Sequence, residues 1–97
     1  MAGSKDVRFV WDPGKSDATK RERGFGFDVV FQADWDYACL VEVQNHEGEE
    51  RHLHIVPLND RLLAIVTTDR EDAIRVISVR MATNREASIW VEEFRND

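Results

Sequence analysis

Residues 37–44, 51–58, 62–68 and 73–80 are dense in aliphatic and β-branched side chains and read as four strands. The segments between them, Asn45-His46-Glu47-Gly48, Asn59-Asp60 and residues 69–72, carry turn residues and are short enough for hairpins. An antiparallel meander is the economical topology. Ahead of it, residues 7–11 read as a short strand, and Asp12-Pro13 as a helix start: Asp accepts the first free backbone donors, and Pro at the first helical position loses nothing. That helix is expected to run to about Arg23 and stop at Gly24, which enters the left-handed conformation cheaply. Its stretch from Lys15 to Arg23 offers only Ala18 as an apolar residue, so it belongs on the surface or at a site. Phe27, Val30 and Phe31 have the spacing of one helical face, which predicts a second short helix over 27–33. Thr83 with Glu86 three residues on is a capping box, and Ala87, Trp90, Val91 and Phe94 form the apolar stripe of a last helix. The order β-α-α-β-β-β-β-α gives an α+β class, a small antiparallel sheet with helices packed on it.

Composition narrows this picture. At 97 residues, with 42% hydrophobic and 33% charged residues, the chain is expected to form one domain over 7–97 behind a disordered tail, residues 1–6. The longest apolar run, residues 62–66, is far below the roughly 18 residues of a membrane helix, and the N-terminus has no signal-peptide block, which predicts a cytoplasmic protein without membrane partners. The single cysteine, Cys39, cannot form an internal disulfide and is expected to be a buried apolar residue. A net charge of −6 argues against a surface that is wholly a nucleic-acid footprint. Acids gather at 42–50 and 92–97 and bases at 15–23, so a local basic site is allowed and a basic protein partner suits the chain as well as RNA does.

Several familiar motifs are excluded. Gly24-Phe25-Gly26 follows a helix rather than a strand and lacks a third glycine, so it is a turn and not a nucleotide loop. Trp11-Asp12 and Trp35-Asp36 sit in a chain too short for propeller blades, and Ser16, Ser78 and Ser88 have no nucleophile motif around them. His52 and His54, two apart on a strand, point to one face, and with His46 and Glu49 or Glu50 they offer a weak metal-binding pattern or a solvated polar face. Arg51, Arg75 and Arg80 come from strands, which hold side chains firmly enough to converge on a phosphate.

Taken together, residues 8–15, Gly24-Phe25-Gly26-Phe27, Glu50-Arg51, residues 62–66 and residues 75–83 resemble the BrnT family of bacterial toxins over about residues 8–92. The Trp-Asp-Pro-x-Lys start and the Arg-x-Ile-Ser-x-Arg-x-Ala-Thr junction, continued by Arg85-Glu86, carry the resemblance. It implies a fold like that of the RelE and ParE toxins, ribonuclease activity, and neutralisation by a BrnA-type antitoxin, as a homodimer or a toxin–antitoxin heterotetramer. The family pattern has Asn in the first helix and Lys-His before the glycine, where this chain has Thr19, Glu22 and Arg23. The alternative is therefore a catalytically inactive toxin-like module that only binds a protein partner.

RNA cleavage without a metal or other cofactor needs a base for the ribose 2′-hydroxyl, an acid for the leaving oxygen, and cations for the charged phosphorane. The resemblance implies Arg51, Arg75 and Arg80 as the cations, with Lys15 and Arg23 as RNA contacts. Glu50 and His54 are the candidates for proton transfer, and His52 for proton transfer or RNA binding. Arg75 and Arg80 are five apart, so a regular strand would turn them to opposite faces and leave one to anchor the last helix.

Overall fold

The computed structural model describes residues 7–95, and the tail expected over 1–6 lies outside them. Asp12 caps the first helix, α1 (Pro13–Arg23), by accepting from the Gly14 amide at 2.8 Å, and Gly24 closes it at φ 90 with its amide donating to the Lys20 carbonyl. The strand before it, β1, is only Phe9–Val10. The second predicted helix is instead two 3-10 turns, Phe27–Phe31 and Trp35–Tyr37. The tighter winding explains what happens to the apolar trio. At about three residues per turn, positions i and i+3 eclipse while i+4 swings away. Phe27 and Val30 are accordingly buried, and Phe31 is left 64% exposed.

The meander follows as expected: β2 (Cys39–His46), β3 (Glu49–Leu58), β4 (Arg61–Arg70) and β5 (Ala73–Met81) are joined by tight hairpins and pair antiparallel in sequence order. The turns take fewer residues than predicted, so the strands run longer. Glu47 and Gly48 both adopt positive φ, 53 and 84, the twist that two-residue hairpins favour, and this draws His46 and Glu49 into the ladder. The sheet is not wholly antiparallel. β1 pairs parallel with β5, giving the order β1-β5-β4-β3-β2, because α1 and the 3-10 turns carry the chain across one face from β1 to the far edge. Among the described residues the fold is α+β, with a five-stranded mixed sheet and two α-helices.

Each sheet face has its own cover. On the inner face Val56, Leu63, Ile65, Val76 and Val79 pack under Phe27, Val30 and Ala33 of the 3-10 segment, all of them buried. On the other face Cys39, Ile55 and Ala64 are buried in one row, beneath the last helix, α2 (Asn84–Phe94), which packs on β2 and β3. Trp90 Nε1 donates to the Tyr37 carbonyl at 2.7 Å, and the Phe94 and Tyr37 rings meet edge to face, which fixes the far end of α2. Burial raises the Cys39 thiol above its usual range, in keeping with an inert packing residue.

Candidate active site

The register of β4 against β5 decides where the arginines go. Val66 pairs with Ser78 and Thr67 with Val76, which leaves Ile77 as an extra residue on β5. A bulge of this kind shifts the alternation by one. Arg75 then lies opposite Thr68 and Arg80 opposite Ala64, two positions of equal parity on β4, so both arginines face α2. The expectation that they point to opposite sides is corrected by that one residue. The same shift lets Val76 and Val79, three apart, both enter the inner core.

Arg51 joins them on the α2 face, since it pairs with Gln44 and alternates with Leu53. A hollow of about 180 Å³ is lined by Arg51 and Arg80 with Glu42, Gln44, Leu53, Val66 and Glu86. Arg80 grips Glu86 with both terminal nitrogens, at 2.8 and 2.9 Å, and also donates to the Met81 carbonyl. The Arg80 guanidinium holds the Glu86 carboxyl down to about 2, while Glu86 still completes the capping box by accepting the Thr83 amide. Arg80 therefore anchors α2, as one of the pair was expected to, and its side chain remains 34% exposed to the hollow. Arg51 uses only Nε, donating to Glu49 at 3.1 Å, and Arg70 holds the second Glu49 oxygen at 2.7 Å. These bonds, Arg70 before Arg51, lower the Glu49 carboxyl below its usual range. Arg75 makes no ion pair among the described residues and is half-buried.

The proton-transfer candidates lie elsewhere. Glu50, His52 and His54 alternate with Arg51 and Leu53 on β3, which turns them to the inner face. There His52 Nε2 lies 3.3 Å from Glu50, His54 Nε2 lies 3.2 Å from the Thr67 hydroxyl, and the Trp35 ring meets His54 edge to face. Burial, helped by neighbouring His52, lowers the His54 imidazole below its usual range and keeps it neutral at pH 7. Lys15 is exposed on α1, and Arg23, at its end, donates to the Val79 carbonyl at 3.4 Å; α1 packs on the first 3-10 turn, also on the inner side. The sheet thus divides the candidates: Arg51, Arg75 and Arg80 on one face, Glu50, His52 and His54 on the other. His46 pairs with Glu49 and so belongs to the α2 face, away from His52 and His54. Among the described residues no three His, Cys, Asp or Glu side chains are placed to hold a metal ion together, so the three-histidine reading is not carried by the geometry.

Sequence reasoning passed over Glu49 as an arginine clamp, Gln44 and Glu42 as lining, and Glu86 as the partner of Arg80. The two-residue turn at Glu47-Gly48 was the available signal for the first three, since it sets Gln44 opposite Arg51. Nothing in the spacing of Arg80 and Glu86 announces a pair across a strand-to-helix junction.

Residues 11–86, most of the chain, match the family described as "Ribonuclease toxin, BrnT, of type II toxin-antitoxin system". No curated protein matches the chain. No solved structure matches it either.

Proposed function

The chain belongs to the BrnT family of ribonuclease toxins of type II toxin–antitoxin systems, and from that premise we propose that it cleaves RNA on the α2 face of its sheet. The observation that carries the reading is the β5 bulge, which brings Arg75 and Arg80 onto the face that Arg51 already occupies. Three guanidiniums on one rigid sheet suit a phosphate whose charge grows during cleavage, and they supply it without a metal ion. Arg51 and Arg75 present the phosphate contacts, and Arg80, tied to Glu86, sets the edge of the site. We assign proton transfer to the same face, to Glu49 and His46, which stand opposite each other in register; Glu49 can act as a base only once the phosphate draws Arg51 and Arg70 away from its carboxylate. Glu50, His52 and His54 carry no proton in this scheme. We further propose a BrnA-type antitoxin as the neutralising partner, RNA loss in the cytoplasm as the route to growth arrest, and kinship in fold with RelE and ParE toxins.

A second reading is favoured by one observation. Arg51 and Arg80 are both already engaged by carboxylates, as an inactive module that only binds its partner would tolerate. Induced expression of wild type beside Arg51→Gln, with growth and total RNA followed together, separates the two. Catalysis predicts arrest and RNA loss that the substitution relieves. Soluble, folded wild type that leaves growth and RNA untouched establishes the binding module instead.

A further inference from the structure

A cleft larger than the arginine-lined hollow lies on the inner face, away from the arginines. It encloses about 650 Å³ beside the 3-10 segment, and Phe9, Phe31 and Trp35 form its apolar wall. Phe9 stacks on Trp35 with centroids 5.6 Å apart and meets Phe31 edge to face at 5.7 Å, so the wall is a fixed aromatic surface. Phe31 is the most exposed large hydrophobic side chain among the described residues, and with Phe9 and Trp35 it makes a contiguous apolar patch rather than an isolated surface residue. The apolar surface continues toward the sheet edge. Leu40 and Val43, both about half exposed, pair in register with His54 and His52 and so face the same side.

Charge selects the occupant. Asp34, Asp36 and Asp69 line the cleft, and no Lys or Arg lines it among the described residues. Its two imidazoles are already accounted for: burial lowers His54 below its usual range, and His52 Nε2 lies 3.3 Å from the Glu50 carboxylate. Carboxylates around aromatic faces attract a Lys or Arg head, whose stem covers the rings while its charge meets ring face and carboxylate together. A nucleic acid would bring its phosphates against three aspartates, so the aromatic wall is not an RNA platform.

We propose that this cleft is a docking site for a basic segment of a protein partner, which inserts a Lys or Arg side chain, flanked by apolar residues, between Phe31, Trp35 and the Asp34 and Asp69 carboxylates. The apolar flanks cover Leu40 and Val43. The site lies on the opposite side of the sheet from Arg51, Arg75 and Arg80, and it does not depend on the chain cleaving RNA.

The test uses a fluorescein-labelled peptide of alternating leucine and arginine, about ten residues long, with a glutamate-for-arginine peptide and an oligoadenylate as comparators. Binding is read by anisotropy and by backbone amide shifts. The expected result is saturable binding of the basic peptide alone, with shifts at Asp34, Thr67 and Asp69. Phe31→Ser combined with Asp69→Asn should weaken it about tenfold or more. Glu92→Gln combined with Glu93→Gln, which removes more charge from α2 on the other face of the sheet, should leave it unchanged, and circular dichroism establishes that both variants fold. Loss of binding in the Glu92/Glu93 variant to the same degree would overturn the proposal in favour of general charge attraction. So would oligoadenylate producing the cleft shifts, or no binding of the basic peptide to wild type.

Discussion

Arg80 and Glu86 show how one ion pair can hold a helix and confound an activity test. Glu86 is 7% exposed, and its carboxylate receives both terminal nitrogens of Arg80 and the Thr83 amide. Because its folded pKa, about 2, lies below the ordinary 4.5, the pair stabilises above that ordinary value and its contribution is lost as pH falls from 4.5 to 2. With Arg80 partly open to solvent, we expect Glu86→Gln to cost about 1 to 3 kcal/mol at pH 7. Urea unfolding should show that difference shrinking toward zero near pH 2. Arg80→Ala strands the buried carboxylate and is predicted to lose about 2 kcal/mol or more, part of which Glu86→Gln restores in the double variant. Strictly additive losses in that cycle would contradict the pairing. A drop in toxicity on removing Arg80 would therefore mix folding with catalysis, which is why Arg51 is the better probe.

At the scale of elements, boundary chemistry was legible and winding was not. The caps of α1 and α2, the Gly24 stop and the order of the meander follow from residues whose local chemistry decides them: Asp12, Pro13, Gly24, Thr83 and Glu86. The 3-10 form of 27–31 was hidden because Phe27, Val30 and Phe31 satisfy the α-helical spacing equally well. The Gly26 contact helps explain the choice: a Cβ there would sit 2.9 Å from the Ser16 hydroxyl, which itself accepts the Phe27 amide at 2.9 Å. α1 and the first 3-10 turn thus approach too closely for any side chain at Gly26. We predict that Gly26→Ala destabilises by about 1 to 3 kcal/mol, measured by thermal or urea unfolding. Its cost should be smaller in a Ser16→Ala background, which removes the closest of the atoms a Cβ would meet and leaves Asp28 Oδ1 at 3.2 Å. The bulge at Ile77 was invisible for a related reason. Regular alternation is the only rule a strand sequence offers, and the extra residue is set by pairing with β4.

The whole molecule separates two chemistries that lie side by side in the sequence. Glu50, Arg51, His52 and His54 fall within five residues of one another and invite reading as one site, yet strand alternation sends Arg51 to the α2 face and the others inward. The family motifs carried the arginines, and the sheet then decided which titratable groups accompany them. Helices or 3-10 turns cover part of each face, leaving an arginine-lined hollow on one side and an aromatic, acidic cleft on the other. Function on the two faces should be separable by substitution. The most direct measurement is cleavage of a defined RNA by purified protein in the presence of a chelator, with wild type, Arg51→Gln and His54→Gln compared at matched folded concentration. Cleavage on the arginine face predicts chelator-resistant cutting by wild type, a loss of about a hundredfold with Arg51→Gln, and activity near wild type with His54→Gln. Intact RNA from folded wild type, or a loss that follows His54 and spares Arg51, would contradict it.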